Sequence, residues 1–248
     1  KFNYKTLDNY LSFQYAVPPE TFFEGIYCLM PGHFLQYKNG EFKTERYFEA
    51  NFNINPNLDL ETATEQIEKV FKDSVDAHRI SDVEVGCFLS SGVDSSYVSS
   101  YFAGQKAFTV GFDFGEKYNE VTWAQNLSKK IGINHYYKII SSEEFWASIR
   151  KVQYHMDQPL ADPSCIALYF VSKLASEHVK VVLSGEGADE LFGGYNIYRE
   201  PEALKKVAWI PFVLRRAVRK LAAKLPDVKG RDFLIRAGMK VEERFIGN

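Results

Sequence analysis

In its first half the chain reads Leu89-Ser90-Ser91-Gly92-Val93-Asp94-Ser95-Ser96, a turn of small residues with one acid and several hydroxyls. The apolar run at residues 83–89 predicts a buried strand, and apolar residues recur at helical spacing over 97–102. The turn therefore joins the carboxyl end of a strand to the amino end of a helix. Backbone N–H groups and the helix dipole favour an anion there, and small residues let phosphate oxygens come close. The stretch predicts a cradle for pyrophosphate.

Asp94 is the unusual member of this turn, because a carboxylate beside phosphate groups is repulsive unless a cation lies between them. Its presence favours an oxygen-bound ion such as Mg²⁺. Ser90, Ser95 and Ser96 can add hydroxyl donors. The alternative is a serine-rich turn that only caps the helix, with Asp94 in the first helical turn. Capping explains one hydroxyl and leaves the others without a role.

Composition narrows the class of protein. The 248 residues are 46% hydrophobic and 25% charged, with a formal net charge of −2. They can form one main domain with appendages, and nothing in the charge favours nucleic acid or a membrane surface. Neither a transmembrane segment nor a signal peptide is evident. The first residue is Lys rather than Met, which indicates a fragment. Three cysteines without metal or disulfide spacing favour a reducing, cytoplasmic setting: Cys28, Cys87 and Cys165.

The first 57 residues predict a small antiparallel β-meander followed by a linker. Apolar segments at 26–30, 34–37 and 41–43 are separated by turns at Pro31-Gly32-His33 and Lys38-Asn39-Gly40. Residues 51–57 then form the linker. Helical periodicity begins at Leu58 and continues to Ile80, so we place the start of a second domain at residue 58.

Residues 58–200 alternate between predicted strands and helices. Strands are expected at 83–89, 107–112, 135–140 and 179–183. This alternation predicts an α/β fold, a parallel sheet with helices on both faces, whose ligands collect at the carboxyl ends of the strands near a switch in strand order.

Residues 201–248 predict a helical extension with one apolar side and many basic residues. The basic residues could contact RNA, but a solvated helix face is the favoured interpretation of a charge run of this size.

A second loop resembles the first in character. The apolar run 181–183 leads into Ser184-Gly185-Glu186-Gly187-Ala188-Asp189-Glu190-Leu191-Phe192-Gly193-Gly194-Tyr195. Three carboxylates within five positions, those of Glu186, Asp189 and Glu190, repel one another unless a cation or a reaction uses them. Helix capping by Ser184 is the alternative, and it leaves the glycines unexplained. Two such loops at one sheet edge predict a ligand site.

Several other sites are not supported. The chain lacks GxxxxGK[ST] and HExxH, and neither serine loop satisfies GxSxG. Gly185-Glu186-Gly187 is only a partial dinucleotide motif, because Glu190 stands where its third glycine would be. The five histidines have no metal-ligand spacing.

The stretch Ser90–Ser95 resembles the SGGxDS loop of the ATP pyrophosphatases. With residues 182–195 it resembles the synthetase domain of glutamine-hydrolysing asparagine synthetases, and the similarity continues through 109–112 and 157–164. Pro31-Gly32-His33 and Arg46-Tyr47-Phe48 are similar to the end of that family's glutaminase domain. The resemblance implies an adenine nucleotide alpha hydrolase-like fold of the ATP pyrophosphatase type. It weakens after about Arg199.

The resemblance implies ATP-dependent amidation of aspartate through β-aspartyl-AMP, with ammonia from glutamine, release of AMP and pyrophosphate, and a possible homodimer. It implies Glu186 as the catalytic acid/base, and Asp94 and Asp189 as Mg²⁺ ligands. The ATP and pyrophosphate site would comprise Leu89, Ser90, Ser91, Gly92, Asp94, Ser95, Ser96, Val110, Ser184 and Gly185. Asp162, Ser164 and Tyr195 are the expected neighbours of the substrate.

Two departures from the family stand out. Ser91 replaces a glycine, which would add strain if that position needs a positive φ. The family's nucleophilic cysteine, most of its glutaminase domain and a later lysine are missing, so we expect the 248 residues alone to make little or no amide. Two alternatives stay open: a β-lactam synthetase-like ring closure, and a scaffold domain that kept the fold without catalysis.

Overall fold

The computed structural model describes residues 1–115 and 119–244. The chain divides into two compact units, which are described separately. One comprises residues 1–3 and 18–186, and the other comprises residues 4–17 and 187 to the end of the chain. The predicted division at residues 57 and 200 stays a prediction. The described part contains no helix that is both long and apolar enough to cross a bilayer.

The first unit contains six strands and five helices among the described residues. The strands are β1 (His33–Lys38), β2 (Glu41–Arg46), β3 (Val85–Phe88), β4 (Lys106–Phe112), β5 (Asn134–Ile140) and β6 (Val181–Leu183). The helices are α2 (Leu60–His78), α3 (Val93–Ser99), α4 (Val121–Ile131), α5 (Ser142–His155) and α6 (Ser164–Ser176). All four strands predicted for the α/β domain are present, each within two residues of its expected ends.

The central sheet is parallel and has the order β5-β4-β3-β6. Val85 aligns with Val181 on one side of β3, and Cys87 aligns with Ala107 on the other. The chain therefore runs outward from β3 through β4 to β5 and then returns to pair β6 on the opposite side of β3. The switch in strand order lies between β3 and β6, which is where such sheets bind ligands.

Each face of the sheet packs against its own helices, as predicted. On one face, Val75 of α2, Val98 of α3 and Ala124 of α4 surround Cys87, which is fully buried in β3. On the other face, α5 and α6 cover Ile140 and Phe108, both fully buried. Gly86 is required here, because a side chain at this position would meet the Phe108 ring at 2.7 Å.

The amino-terminal segment differs from the predicted three-strand meander. Residues 33–46 form an antiparallel two-stranded hairpin, and Asn39 and Gly40 turn it with positive φ angles of 54° and 87°. Residues 26–30 form no strand and contribute only an isolated bridge from Tyr27 to Glu20. A third strand is stabilised by burying a shared apolar face, and the hairpin offers none, because nearly all its residues are exposed.

The second unit is helical in its described part. Its helices are α1 (Tyr4–Phe13), α7 (Ala188–Phe192), α8 (Glu200–Lys205), α9 (Phe212–Ala222), α10 (Arg231–Ala237) and α11 (Val241–Arg244), with a 3-10 turn at Asn196–Arg199. Glu200 forms ion pairs with Arg236 and Arg244. The helical extension predicted for 201–248 is observed as far as residue 244, and its last four residues lie outside the described part.

The start of α5 shows how locally the sequence defines a helix end. The Ser141 hydroxyl accepts the Glu144 N–H at 3.1 Å, and the Glu144 carboxylate accepts the Ser141 N–H at 3.1 Å, forming a capping box. The Lys138 ammonium, 2.7 Å from the Glu144 carboxylate, lowers the pKa of Glu144 below its usual range, and the Ser141 N–H adds to this effect.

Ser141→Ala is expected to lower the free energy of unfolding by about 0.5–2 kcal/mol, because it removes the side-chain acceptor of this box. Urea denaturation measures the change. Ser142→Ala, one position further along, is the matched control and should alter stability by less than about 0.5 kcal/mol. Equal losses from the two substitutions would contradict the capping role.

Candidate functional site

The turn after β3, residues 89–96, is held together by its own serines. Leu89 is 2% exposed, and its N–H donates to the Phe108 carbonyl at 2.9 Å. The hydroxyls of Ser90 and Ser95 are 2.7 Å apart, the Ser90 N–H donates to the Ser95 hydroxyl, and the Gly92 N–H donates to the Ser90 hydroxyl. The N–H groups of Ser90 and Gly92 thus donate to neutral hydroxyls. An incoming anion can replace these hydroxyls as the acceptor without displacing a charged group.

Helix capping does not account for the serines of this turn. Gly92 is the N-cap of α3 and has no side chain to cap it. Ser96 instead donates its hydroxyl to the Gly92 carbonyl. The backbone strain considered for Ser91 is absent, because the φ angle of Ser91 is not in the left-handed region. Serine therefore fits this position without backbone strain.

Asp94 is the second residue of α3, where the helix dipole favours a negative charge. Its side chain is half-buried, and no hydrogen bond or ion pair to its carboxylate occurs within residues 1–115 and 119–244. An acid in this position is free to interact with a cation. No group of three or more acidic, histidine or cysteine ligands occurs within the same residues.

The loop after β6 contacts the turn after β3 directly. A Cβ atom added to Gly185 would lie 2.8 Å from the Ser95 nitrogen and 2.9 Å from the Asp94 carbonyl carbon. The two backbones therefore meet at the switch in strand order. Ser184 and Glu186 flank this contact and are exposed, and the Glu186 N–H lies 3.4 Å from the Ser184 hydroxyl. The structure thus brings together the first halves of both predicted motifs.

Gly185→Ala is expected to lower the free energy of unfolding by about 1–3 kcal/mol, because the clashing atoms belong to backbone that cannot rotate away. Binding of pyrophosphate to the turn should weaken about 10-fold or more, since the loops must separate. Gly104→Ala is the control. Gly104 has a φ of +76° and open space around it, so the variant should lose stability but keep pyrophosphate binding. Unchanged binding in Gly185→Ala, measured by titration calorimetry, would show that the contact does not matter.

The rest of the second motif lies in the second unit. Gly187 and Gly193 bound α7 with φ angles of 89° and 67°, which explains two of its glycines as the ends of a short helix. Gly194 packs against Asp189, leaving no room for a side chain. Tyr195 donates its hydroxyl to Glu190 at 2.7 Å, and this bond raises the pKa of Tyr195 to about 12. The pairing of Asp189 with Asp94 around a metal stays a prediction.

The remaining predicted residues lie on elements of the first unit. Val110 is half-buried in β4 and packs toward α6. Asp162 and Ser164 are exposed at the start of α6, where the Asp162 carboxylate accepts the Ser164 N–H at 2.9 Å. Asp162 therefore has a local structural role, and its contact with substrate stays a prediction.

Two residues that the sequence interpretation did not assign to the site, Glu120 and Thr109, contact the turn, and a third, His135, contacts Thr109. The Glu120 carboxylate accepts the Ser91 N–H at 3.1 Å. Thr109 donates its hydroxyl to the Leu89 carbonyl at 2.6 Å, and a ring nitrogen of His135 lies 2.7 Å from the Thr109 hydroxyl. Since Thr109 donates to Leu89, His135 must be the donor to Thr109. Burial lowers the pKa of His135 and so favours the neutral ring, in which the nitrogen facing Thr109 carries the proton. The sequence feature that could have indicated these contacts was the parallel arrangement of β3, β4 and β5, which brings the carboxyl ends of the strands to one edge of the sheet.

Comparison with known proteins gives a consistent result. A family model described as asparagine synthase matches residues 66–240. The chain is 40% identical over 250 residues to a glutamine-hydrolyzing asparagine synthetase of Bacillus subtilis. It is 38% identical over 255 residues to a putative glutamine-hydrolyzing asparagine synthetase of Mycobacterium tuberculosis. These matches cover 98% and 99% of the chain, which spans 39% of the length of either relative. An amidase of Penicillium rubens, chyE, is 26% identical over 238 residues.

Proposed function

Because the chain belongs to the asparagine synthase family, we propose that the longer protein uses this α/β unit to convert aspartate to asparagine at the expense of ATP. The observation that best supports this proposal is the contact of Gly185 with the backbone of Asp94 and Ser95. It joins a turn suited to phosphate with a loop that carries acids. Binding at the carboxyl edge between β3 and β6 is the usual location for a nucleotide in such sheets.

The first chemical step would be activation of the substrate carboxylate. A carboxylate oxygen attacks the α-phosphorus of ATP, the bond from that phosphorus to the oxygen that bridges it to the β-phosphorus breaks, and β-aspartyl-AMP forms as pyrophosphate leaves. The N–H groups and hydroxyls of Ser90, Ser91 and Ser95 would hold the departing pyrophosphate, as fixed donors to developing charge.

The donor set of the turn fits a hard cation. The half-buried Asp94 carboxylate lies at the start of α3, beside the N–H and hydroxyl groups that would bind phosphate. Asp189 would be a further ligand of the cation. When bound, Mg²⁺ would neutralise charge that develops on the phosphate oxygens. Asp94 directly precedes Ser95, whose backbone contacts Gly185, so its carboxylate would lie close to both loops.

The second step would form the amide. Ammonia, which glutamine would supply in the longer protein, attacks the acyl carbon, and AMP leaves. Glu186 would accept the proton that the nitrogen loses. Its exposure and its place directly after Gly185 support this role, because a general base must reach the reacting nitrogen while the loop stays fixed. Substrate recognition by Asp162, Ser164 and Tyr195 is part of the same proposal.

ATP–pyrophosphate exchange by the full-length protein tests this function. With Mg²⁺ present, labelled pyrophosphate should enter ATP when aspartate is added, and other amino acids should give much less exchange. Exchange without preference for aspartate would overturn the assignment and favour another acceptor, such as a ring-closing substrate. A folded protein that binds no ATP in calorimetric titration would instead indicate a scaffold domain.

A further inference from the structure

We propose that Glu120 occupies an anion position of the pyrophosphate turn in the ligand-free protein and must leave it before pyrophosphate or ATP binds fully. This inference deepens the proposed function and rests on it. Its direct observation is the 3.1 Å hydrogen bond from the Ser91 N–H to the Glu120 carboxylate. Glu120 is 29 positions further along the chain and directly precedes α4.

The topology explains how Glu120 reaches the turn. The segment after β4 emerges at the same sheet edge as the turn after β3, since the two strands are parallel neighbours. Gly111 in β4 leaves space for this segment. A Cβ atom there would lie 2.9 Å from the Asn119 side-chain oxygen and 3.0 Å from Val121. The residues on both sides of Glu120 are therefore packed against the strand that adjoins β3.

The N–H groups of the turn have two kinds of acceptor, neutral hydroxyls and a carboxylate. Ser90 and Gly92 donate to hydroxyls of the turn itself, which are neutral and can rotate away. Among residues 1–115 and 119–244, Glu120 is the charged side chain that accepts an N–H of this turn. A phosphate oxygen and this carboxylate oxygen would compete for the same donor and repel each other at close range. Glu120 therefore occupies the position of a phosphate oxygen and weakens the binding of phosphate to the turn.

This role gives an unusual expectation, because removing a charged side chain from the site should improve binding. Glu120→Gln removes the charge and leaves a neutral acceptor of the same length. Titration calorimetry of the full-length protein with inorganic pyrophosphate and constant Mg²⁺ should give a dissociation constant about 3- to 10-fold lower than that of the unaltered protein. Glu120→Ala, which removes the acceptor as well, should bind at least as tightly as Glu120→Gln.

Glu65→Gln is the charge-matched control, since Glu65 is exposed in α2 and, in the described part of the chain, forms no hydrogen bond with the turn. It should leave the dissociation constant unchanged. If Glu120 only braces the turn, both Glu120 variants should bind pyrophosphate more weakly, and equal or weaker binding overturns the inference while the proposed function stands. No binding by the unaltered protein or by any variant overturns both.

Hydrogen exchange adds a readout that does not depend on affinity. The Ser91 amide should exchange faster in Glu120→Ala than in the unaltered protein when no ligand is present, and pyrophosphate should restore its protection in Glu120→Ala. Failure of pyrophosphate to protect Ser91 in Glu120→Ala would show that the ligand does not take the place of the carboxylate.

Discussion

Asp94→Asn is expected to reduce ATP–pyrophosphate exchange by the full-length protein about 100-fold or more. Asparagine has nearly the same shape as aspartate, so the turn and α3 should keep their conformation, but the neutral side chain cannot hold a cation against the phosphates. A 100-fold loss corresponds to about 2.7 kcal/mol of transition-state stabilisation. Because the Asp94 carboxylate has no partner within the described residues, its replacement removes no hydrogen bond there.

The stability of Asp94→Asn separates a binding role from a structural one. We expect its free energy of unfolding to fall by no more than about 1 kcal/mol, which is the helix-dipole contribution of an acid in a first turn. Asp73→Asn, at an exposed position of α2, is the charge-matched control and should retain exchange. Exchange in Asp94→Asn within a few-fold of the unaltered protein would rule out Asp94 as the essential acid.

Glu186→Gln is expected to lower asparagine formation by about 10²- to 10⁴-fold, the usual contribution of a positioned general base. ATP–pyrophosphate exchange should stay within a few-fold, because exchange needs only the first chemical step. The variant should therefore accumulate activated aspartate. Measuring asparagine and exchange on the same preparation tests this separation, which general damage to the site would not produce.

Glu190→Gln is the informative comparison for Glu186. Glu190 lies in the same motif and accepts the Tyr195 hydroxyl, so its carboxylate already has a local partner. We expect its replacement to reduce asparagine formation less than 10-fold and to bring the pKa of Tyr195 down from about 12. If Glu190→Gln lost amide formation and Glu186→Gln did not, the roles of the two acids would be exchanged.

The α/β core could be predicted from sequence because its signals are local. Buried parallel strands are short apolar runs, and each is followed by residues at helical spacing. The capping box of Ser141 and Glu144 and the turn at Asn39 and Gly40 are likewise encoded within four residues. In contrast, α1 was missed although Tyr4, Leu7 and Leu11 fall at helical spacing, because residues 1–57 were interpreted as a β-meander and linker. Tyr4 and Leu11 are exposed, so the spacing does not mark a buried face.

Contacts across the sheet edge were harder to predict. The turn residues were found by their composition, but the bond from Ser91 to Glu120 joins positions 29 apart and depends on strand order. Sequence alone placed both acidic loops at one edge and left open which residues touch. The structure supplies that information for Gly185, because the Cβ clearance shows two backbones in contact.

The pairing of β6 with β3 has a consequence for how the site assembles. Val85 pairs with Val181, 96 positions later, whereas β3 to β4 and β4 to β5 are joined by much shorter connections. Closing the longer loop costs more chain entropy, and β6 offers only three residues in return. We therefore expect β6 to join the sheet late in folding and to detach early in partial unfolding. The loop carrying Glu186 would detach with it, so activity would be lost on mild denaturation while β3, β4 and β5 remain paired.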